Sequence, residues 1–139
     1  MKKLFLAALL AISVSTFAQT SYEKAMIDKI AQVEQQKKSD EFTALTNDFT
    51  RIGDKEKNLW LPYYYAAFTN IQKGRIAMRE GKMTELDAIA AEAQKPLDLA
   101  MGLSKDNAEL LILQKMIHSL KMMVDPQSRF VSEGMLAAD

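Results

Sequence analysis

The chain has no cysteine, one histidine (His118) and one tryptophan (Trp60) in 139 residues. Without thiols it has no disulfide framework and no cysteine to carry a lipid, so an exported form would rely on packing alone. A zinc ion would have to be held by carboxylates gathered around His118, a weak donor set. Glycine-rich phosphate loops, His-Glu-x-x-His and Gly-x-Ser-x-Gly motifs are all missing. No catalytic residue, cofactor site or metal site can therefore be named, and the chain reads as non-enzymatic. The acidic pairs Asp40/Glu41 and Glu85/Asp87 fall at helix starts, where carboxylates complement the dipole. His118 lies beside an apolar helical stripe and reads as a partly buried packing residue.

Charge of one sign is also missing, since 18 Lys+Arg balance 18 Asp+Glu. Removing Lys2 and Lys3 with a leader leaves 16 basic residues against 18 acidic, a net charge of about −2 without a basic patch. Nucleic acid is not an expected partner. The apolar run Leu4 to Ile12 is too short to be a good membrane span. Preceded by Lys2-Lys3 and followed by Thr16-Phe17-Ala18, it reads as a signal peptide over residues 1–18. Cleavage after Ala18 leaves residues 19–139 as one exported domain, periplasmic or secreted, with no transmembrane span after cleavage. An uncleaved anchor is the alternative.

What is present is helical periodicity. Thr20-Ser21-Tyr22-Glu23 is a capping box, followed by Tyr22, Met26, Ile30 and Val33 at helical spacing, a pattern that runs out in Gln35 to Lys38. Ser39 or Asp40 caps a second helix with Phe42, Leu45, Phe49 and Ile52 inward, and Gly53 ends it in the left-handed conformation. A third helix begins near Trp60 and runs to about Gly81, with Pro62 tolerated in its first turn. Thr84 with Asp87 starts a fourth, which Pro96 should kink or split after Lys95. Asp106-Asn107 caps a fifth carrying Leu110, Leu113, Ile117, Leu120 and Val124, and Asp125-Pro126 starts a sixth. No alternating strand pattern occurs. The fold class is all-α.

The third helix organises the rest. Trp60-Leu61-Pro62-Tyr63-Tyr64-Tyr65-Ala66-Ala67-Phe68 concentrates aromatics that cannot share one face at about 100° per residue. Leu61, Tyr64 or Tyr65, Phe68 and Ile71 form an apolar stripe. Tyr63, Ala67, Asn70 and Gly74 form a second face of smaller residues that lets a neighbouring helix approach closely. A helix with two packing faces sits between others.

Antiparallel pairs in this order resemble tetratricopeptide repeats. Ala100-Met101-Gly102-Leu103-Ser104-Lys105-Asp106-Asn107-Ala108-Glu109 looks like a repeat end, Ala93 and Leu97 fall at second-helix positions, and Leu61, Tyr64, Ala67 and Phe68 fit the first-helix pattern. Tyr65 stands where glycine is usual, Lys105 replaces proline, and the central pair is about 16 residues longer than the roughly 34-residue repeat. Arg51-Ile52-Gly53-Asp54, Trp60 to Ala67 and Met122-Met123-Val124-Asp125-Pro126-Gln127-Ser128-Arg129 resemble a family of small exported tetratricopeptide-like proteins of the Bacteroidota type. The resemblance implies antiparallel helical hairpins stacked as a short solenoid, and it supplies no activity. It also implies that members continue past Asp139, so the domain is expected to be incomplete at its C-terminal end.

The expected function is a non-catalytic scaffold that binds a protein or an extended peptide on the concave side of stacked hairpins. In that register Pro62, Ala66, Thr69, Asn70 and Lys73 line the surface from the third helix. Glu109, Ile112, Met116 and Ser119 line it from the fifth. The alternative is a helical bundle whose aromatic cluster holds a small apolar or sugar-like ligand; a purely structural subunit is a third reading. The late methionines Met116, Met122, Met123 and Met135 suit an adaptable packing surface.

Overall fold

In the computed structural model, which describes residues 21–138, helix follows helix with short connections and no strand occurs among the described residues. The signal-peptide segment, the cleavage point after Ala18 and Thr20 of the capping box lie outside the described residues. The elements are α1 (residues 21–33), α2 (Ser39–Glu56), α3 (Trp60–Arg79), a 3-10 turn (Met83–Glu85), α4 (Leu86–Leu103) and α5 (Ala108–Met122). Two short helices, α6 (Pro126–Arg129) and α7 (Met135–Ala138), flank a π-helical turn (Phe130–Gly134). Among the described residues no helix is long and apolar enough to cross a membrane.

The turns explain where each helix stops. Glu41 reaches back to accept from the backbone N–H of Lys37 and of Lys38, both at 3.0 Å, so α2 starts at Ser39 with neither Ser39 nor Asp40 as its cap. Gly81, at φ 76°, closes α3: its N–H donates to the Met78 carbonyl at 3.1 Å and that of Lys82 to Ala77 at 2.8 Å. Asn107 caps α5, its Oδ1 accepting from the Glu109 N–H at 3.0 Å. Asp125 caps α6, where Pro126 takes the first position.

Two expected breaks do not occur. Gly53 does not end α2, which continues to Glu56, and the ring of Tyr63 packs close against it. A Cβ there would come within 2.7 Å of Tyr63 Cε1. Glycine is required by a close approach, not by a turn. Pro96 neither splits nor ends α4, which runs unbroken to Leu103 with Pro96 buried.

Two apolar clusters meet on α3. One joins Met26 and Val33 of α1, Phe42, Leu45 and Phe49 of α2, and Ala66 and Ile76 of α3. The other joins Ala67, Ile71 and Ala77 of α3 with Leu86, Ile89, Ala93 and Leu97 of α4 and Leu110, Leu113, Ile117 and Leu120 of α5. Fully burying a leucine or phenylalanine contributes about 1.5–3 kcal/mol, so these clusters dominate stability. Gly74 allows the second: a Cβ on it would meet Leu120 Cδ1 at 2.8 Å. Ala67 and Gly74 of the small-residue face therefore allow the close packing expected of them, with α3 held between α2 on one side and α4 and α5 on the other.

The C-terminal turns return onto this frame. Arg129 donates from both terminal nitrogens to Asp87 at the start of α4, at 2.6 and 2.9 Å, and to the Lys121 carbonyl at 3.1 Å. The guanidinium holds the Asp87 carboxyl below its ordinary range. His118 Nδ1 lies 2.6 Å from Glu133 of the π-helical turn, and its Nε2 lies 3.2 Å from Gln114. Gln114 in turn exchanges hydrogen bonds with Gln94 of α4. The single histidine is a half-buried tie between α5 and the C-terminal turn.

Candidate functional site

Around α3, residues two apart stand about 200° apart, so Lys73 and Arg75 point to nearly opposite sides. The helices packed against α3 leave both of those sides open, and each has its own chemistry.

On one side the flanking elements are α1 and α5. Phe68, Gln72, Ile76 and Arg79 line a cleft with Val33 and Glu34 at the end of α1. Ile71, Arg75 and Met78 line another with Met116, Ser119 and Met123, reaching across to α5. Between them runs a stripe of Tyr64, Phe68, Gln72, Arg75 and Arg79. Its aromatic end is a ladder of half-buried rings. Trp60 meets Tyr64 edge-on at 5.9 Å, Tyr64 stacks on Phe68 at 6.2 Å, and Tyr65 stacks on Phe49 at 5.2 Å. Burial first, and then the nearby Glu109 carboxylate, raise the Tyr64 and Tyr65 phenols above their ordinary pKa. The hydroxyls stay neutral donors. At the other end Arg75 and Arg79 are exposed and enter no ion pair among the described residues.

On the opposite side the flanking elements are α2 and α4. A cleft of about 320 Å³ has Asn70 and Lys73 as its floor, a threonine-rich wall from α2, and Glu92, Lys95, Pro96 and Leu99 from α4. Lys73 Nζ donates to Glu92 Oε2 at 3.0 Å across it. At its edge the Thr46 and Thr69 hydroxyls, 2.7 Å apart, tie α2 to α3.

The nine residues expected on one partner surface do not form one. Pro62, Ala66 and Thr69 are sealed in the packing of α3, so a partner could reach them only if α3 parted from its neighbours. Asn70 and Lys73 turn to the α2–α4 cleft. Met116 and Ser119 line the α3–α5 cleft on the other side, and Glu109 and Ile112 are exposed on α5. The five α3 residues of that set centre about 140° around the helix from the Tyr64–Arg79 stripe. The signal that could have pointed to that stripe is Arg75, Arg79 and Gln72, a polar run at helical spacing beneath Tyr64 and Phe68. Among the described residues no group of three or more His, Cys, Asp or Glu side chains could hold a metal ion. A scan against protein-family models and searches of curated proteins and of solved structures return no match for this chain.

Proposed function

We propose that the chain is a non-catalytic, exported helical-repeat scaffold that binds a protein or extended peptide along the α3 face between α1 and α5. The observation that carries the reading is the stripe itself, with half-buried aromatics at one end and, at the other, two exposed arginines that enter no ion pair among the described residues. Aromatic and arginine side chains supply much of the affinity in protein recognition, and they do so from rigid helices. α1 with α2 and α3 with α4 then act as two tetratricopeptide-like hairpins, and α5 begins a third. Their first helices would line a shallow concave surface. The small-ligand reading is less supported, because the rings of Trp60, Tyr64 and Phe68 pack on one another and leave no slot between them. Export rests on residues 1–18 and is tested by N-terminal sequencing of the cell-derived protein, which should begin at Gln19.

Reversing both arginines, Arg75→Glu with Arg79→Glu, tests the face. Both side chains are exposed, so the melting temperature should hold while partner binding falls. Unchanged binding by the folded variant removes this face from the account.

A further inference from the structure

The α2–α4 cleft lies on the opposite side of α3 from the stripe and contains a feature that packing does not explain. Asn70 is only 5 % exposed, yet its side-chain amide makes no hydrogen bond with another described residue. No sealed side-chain nitrogen or oxygen among the described residues lacks a partner. Asn70 lines the cleft, which places its amide within reach of a molecule bound there. An amide so placed offers a donor and an acceptor side by side.

The walls repeat that chemistry. Thr50 donates to the Thr46 carbonyl at 2.8 Å, which leaves its oxygen free to accept. Pro96 has no N–H, so the Glu92 carbonyl lacks the donor that normally follows four residues on, and both residues line the cleft. Charge is mostly spent within the site, because Lys73 is held by Glu92. Lys95 alone on this rim is exposed and enters no ion pair among the described residues. Pro96 and the exposed side chain of Leu99 make one apolar wall, and among the described residues no aromatic ring lines the cleft to take the face of a sugar.

The geometry points to a second binding site in this cleft, for a short extended peptide whose backbone amide is read by Asn70. An apolar side chain of that peptide rests on Pro96 and Leu99, and an adjacent acidic one reaches Lys95. The size agrees. From Thr43 to Thr50 the wall of α2 rises about 10 Å, the length of about three extended residues. Paired backbone donors and acceptors match a carboxamide better than they match an isolated anion or a hydroxyl array. The site is independent of the α1–α5 face, which does not share its residues.

The probe is N-acetyl-Ala-Leu-Asp-amide, titrated into the isotope-labelled chain and followed by NMR. The Asn70 side-chain NH2 signals and the Thr46 and Thr50 amides should move saturably. Methylating the leucine nitrogen of the peptide, or the variant Asn70→Ala, should weaken binding about tenfold, as loss of a buried amide hydrogen-bond pair does. Lys95→Glu, a surface change that leaves the fold intact, should weaken it severalfold, whereas Arg75→Glu should leave it unchanged. The proposal is overturned if no cleft signal saturates, or if glucose or inorganic phosphate moves those signals and the peptide does not. It is equally overturned if the N-methylated peptide binds as well as the parent. Should Asn70→Ala fail to fold, Lys95→Glu and the methylated peptide decide the matter on the native chain.

Discussion

Gly53→Ala adds a single carbon to α2, and that carbon would lie 2.7 Å from Cε1, 2.8 Å from Cζ and 3.0 Å from Cδ1 of Tyr63. Helix propensity alone favours the change by up to about 1 kcal/mol. Against it stands a rigid ring that cannot swing aside, because Tyr63 is buried and its hydroxyl donates to Asp54 Oδ1 at 2.8 Å. Overpacking of this kind costs about 1–3 kcal/mol. If the ring moves, the Tyr63–Asp54 bond is lost at a further cost of about 0.5–1.5 kcal/mol. With the ring displaced, the balance is a net loss of about 0.5–3.5 kcal/mol. In a Tyr63→Leu background the facing ring atoms are gone, and Gly53→Ala should become neutral or stabilising. Urea denaturation of the four proteins in this cycle gives the coupling directly. A Gly53→Ala variant that is more stable than the parent, or one that behaves identically in both backgrounds, would refute the close-approach account of Gly53.

Asp87→Asn should lower stability by no more than about 1 kcal/mol, since the pair is half exposed and screened by water, while increasing hydrogen exchange over residues 126–138. Because the folded carboxyl lies below its ordinary value of 3.8, the Arg129 contact contributes at neutral pH and is lost as acid protonates it. All four tyrosines, Tyr22, Tyr63, Tyr64 and Tyr65, have their pKa raised, first by burial. Their contribution is whole below 10.0 and lost as the pH rises through the folded values, so alkaline unfolding should coincide with tyrosinate absorbance; ionisation of all four phenols at their ordinary value in the folded protein would contradict this. Pro96→Ala should raise stability, because it restores the donor to the Glu92 carbonyl; about 1 kcal/mol is expected after the lost ring packing is offset. A loss on denaturation would mean that the ring contributes more than the missing hydrogen bond.

The helices were legible because their inward residues recur every three or four positions. Phe42, Leu45 and Phe49, and Leu110, Leu113, Ile117 and Leu120, are all buried as that spacing requires. The close-packing side of α3 was legible too, since Ala67 and Gly74 are too small for any other reading. Neighbour identity was not. Residues apolar on nearly all sides of α3 fix that it is enclosed but not which helix covers which side, and a shift of register moved Asn70 and Lys73 from one cleft to the other. Gly53 was misread because a glycine near a helix end signals a cap unless the facing residue is known, and Tyr63 is supplied by the next helix. The split expected after Lys95 is absent for a related reason. The cost of Pro96 is local, whereas the burial that keeps α4 whole comes from α3 and α5.

Recruitment of a protein partner by the α3 face between α1 and α5 is tested most directly by immobilising residues 19–139 and their Arg75→Glu/Arg79→Glu variant side by side. Both are exposed to an envelope extract from the source cell, and bound proteins are compared by mass spectrometry. The account predicts one dominant partner, retained by the parent at moderate salt and lost by the equally folded variant. Equal capture by both proteins, or none by a folded and monomeric parent, would contradict it.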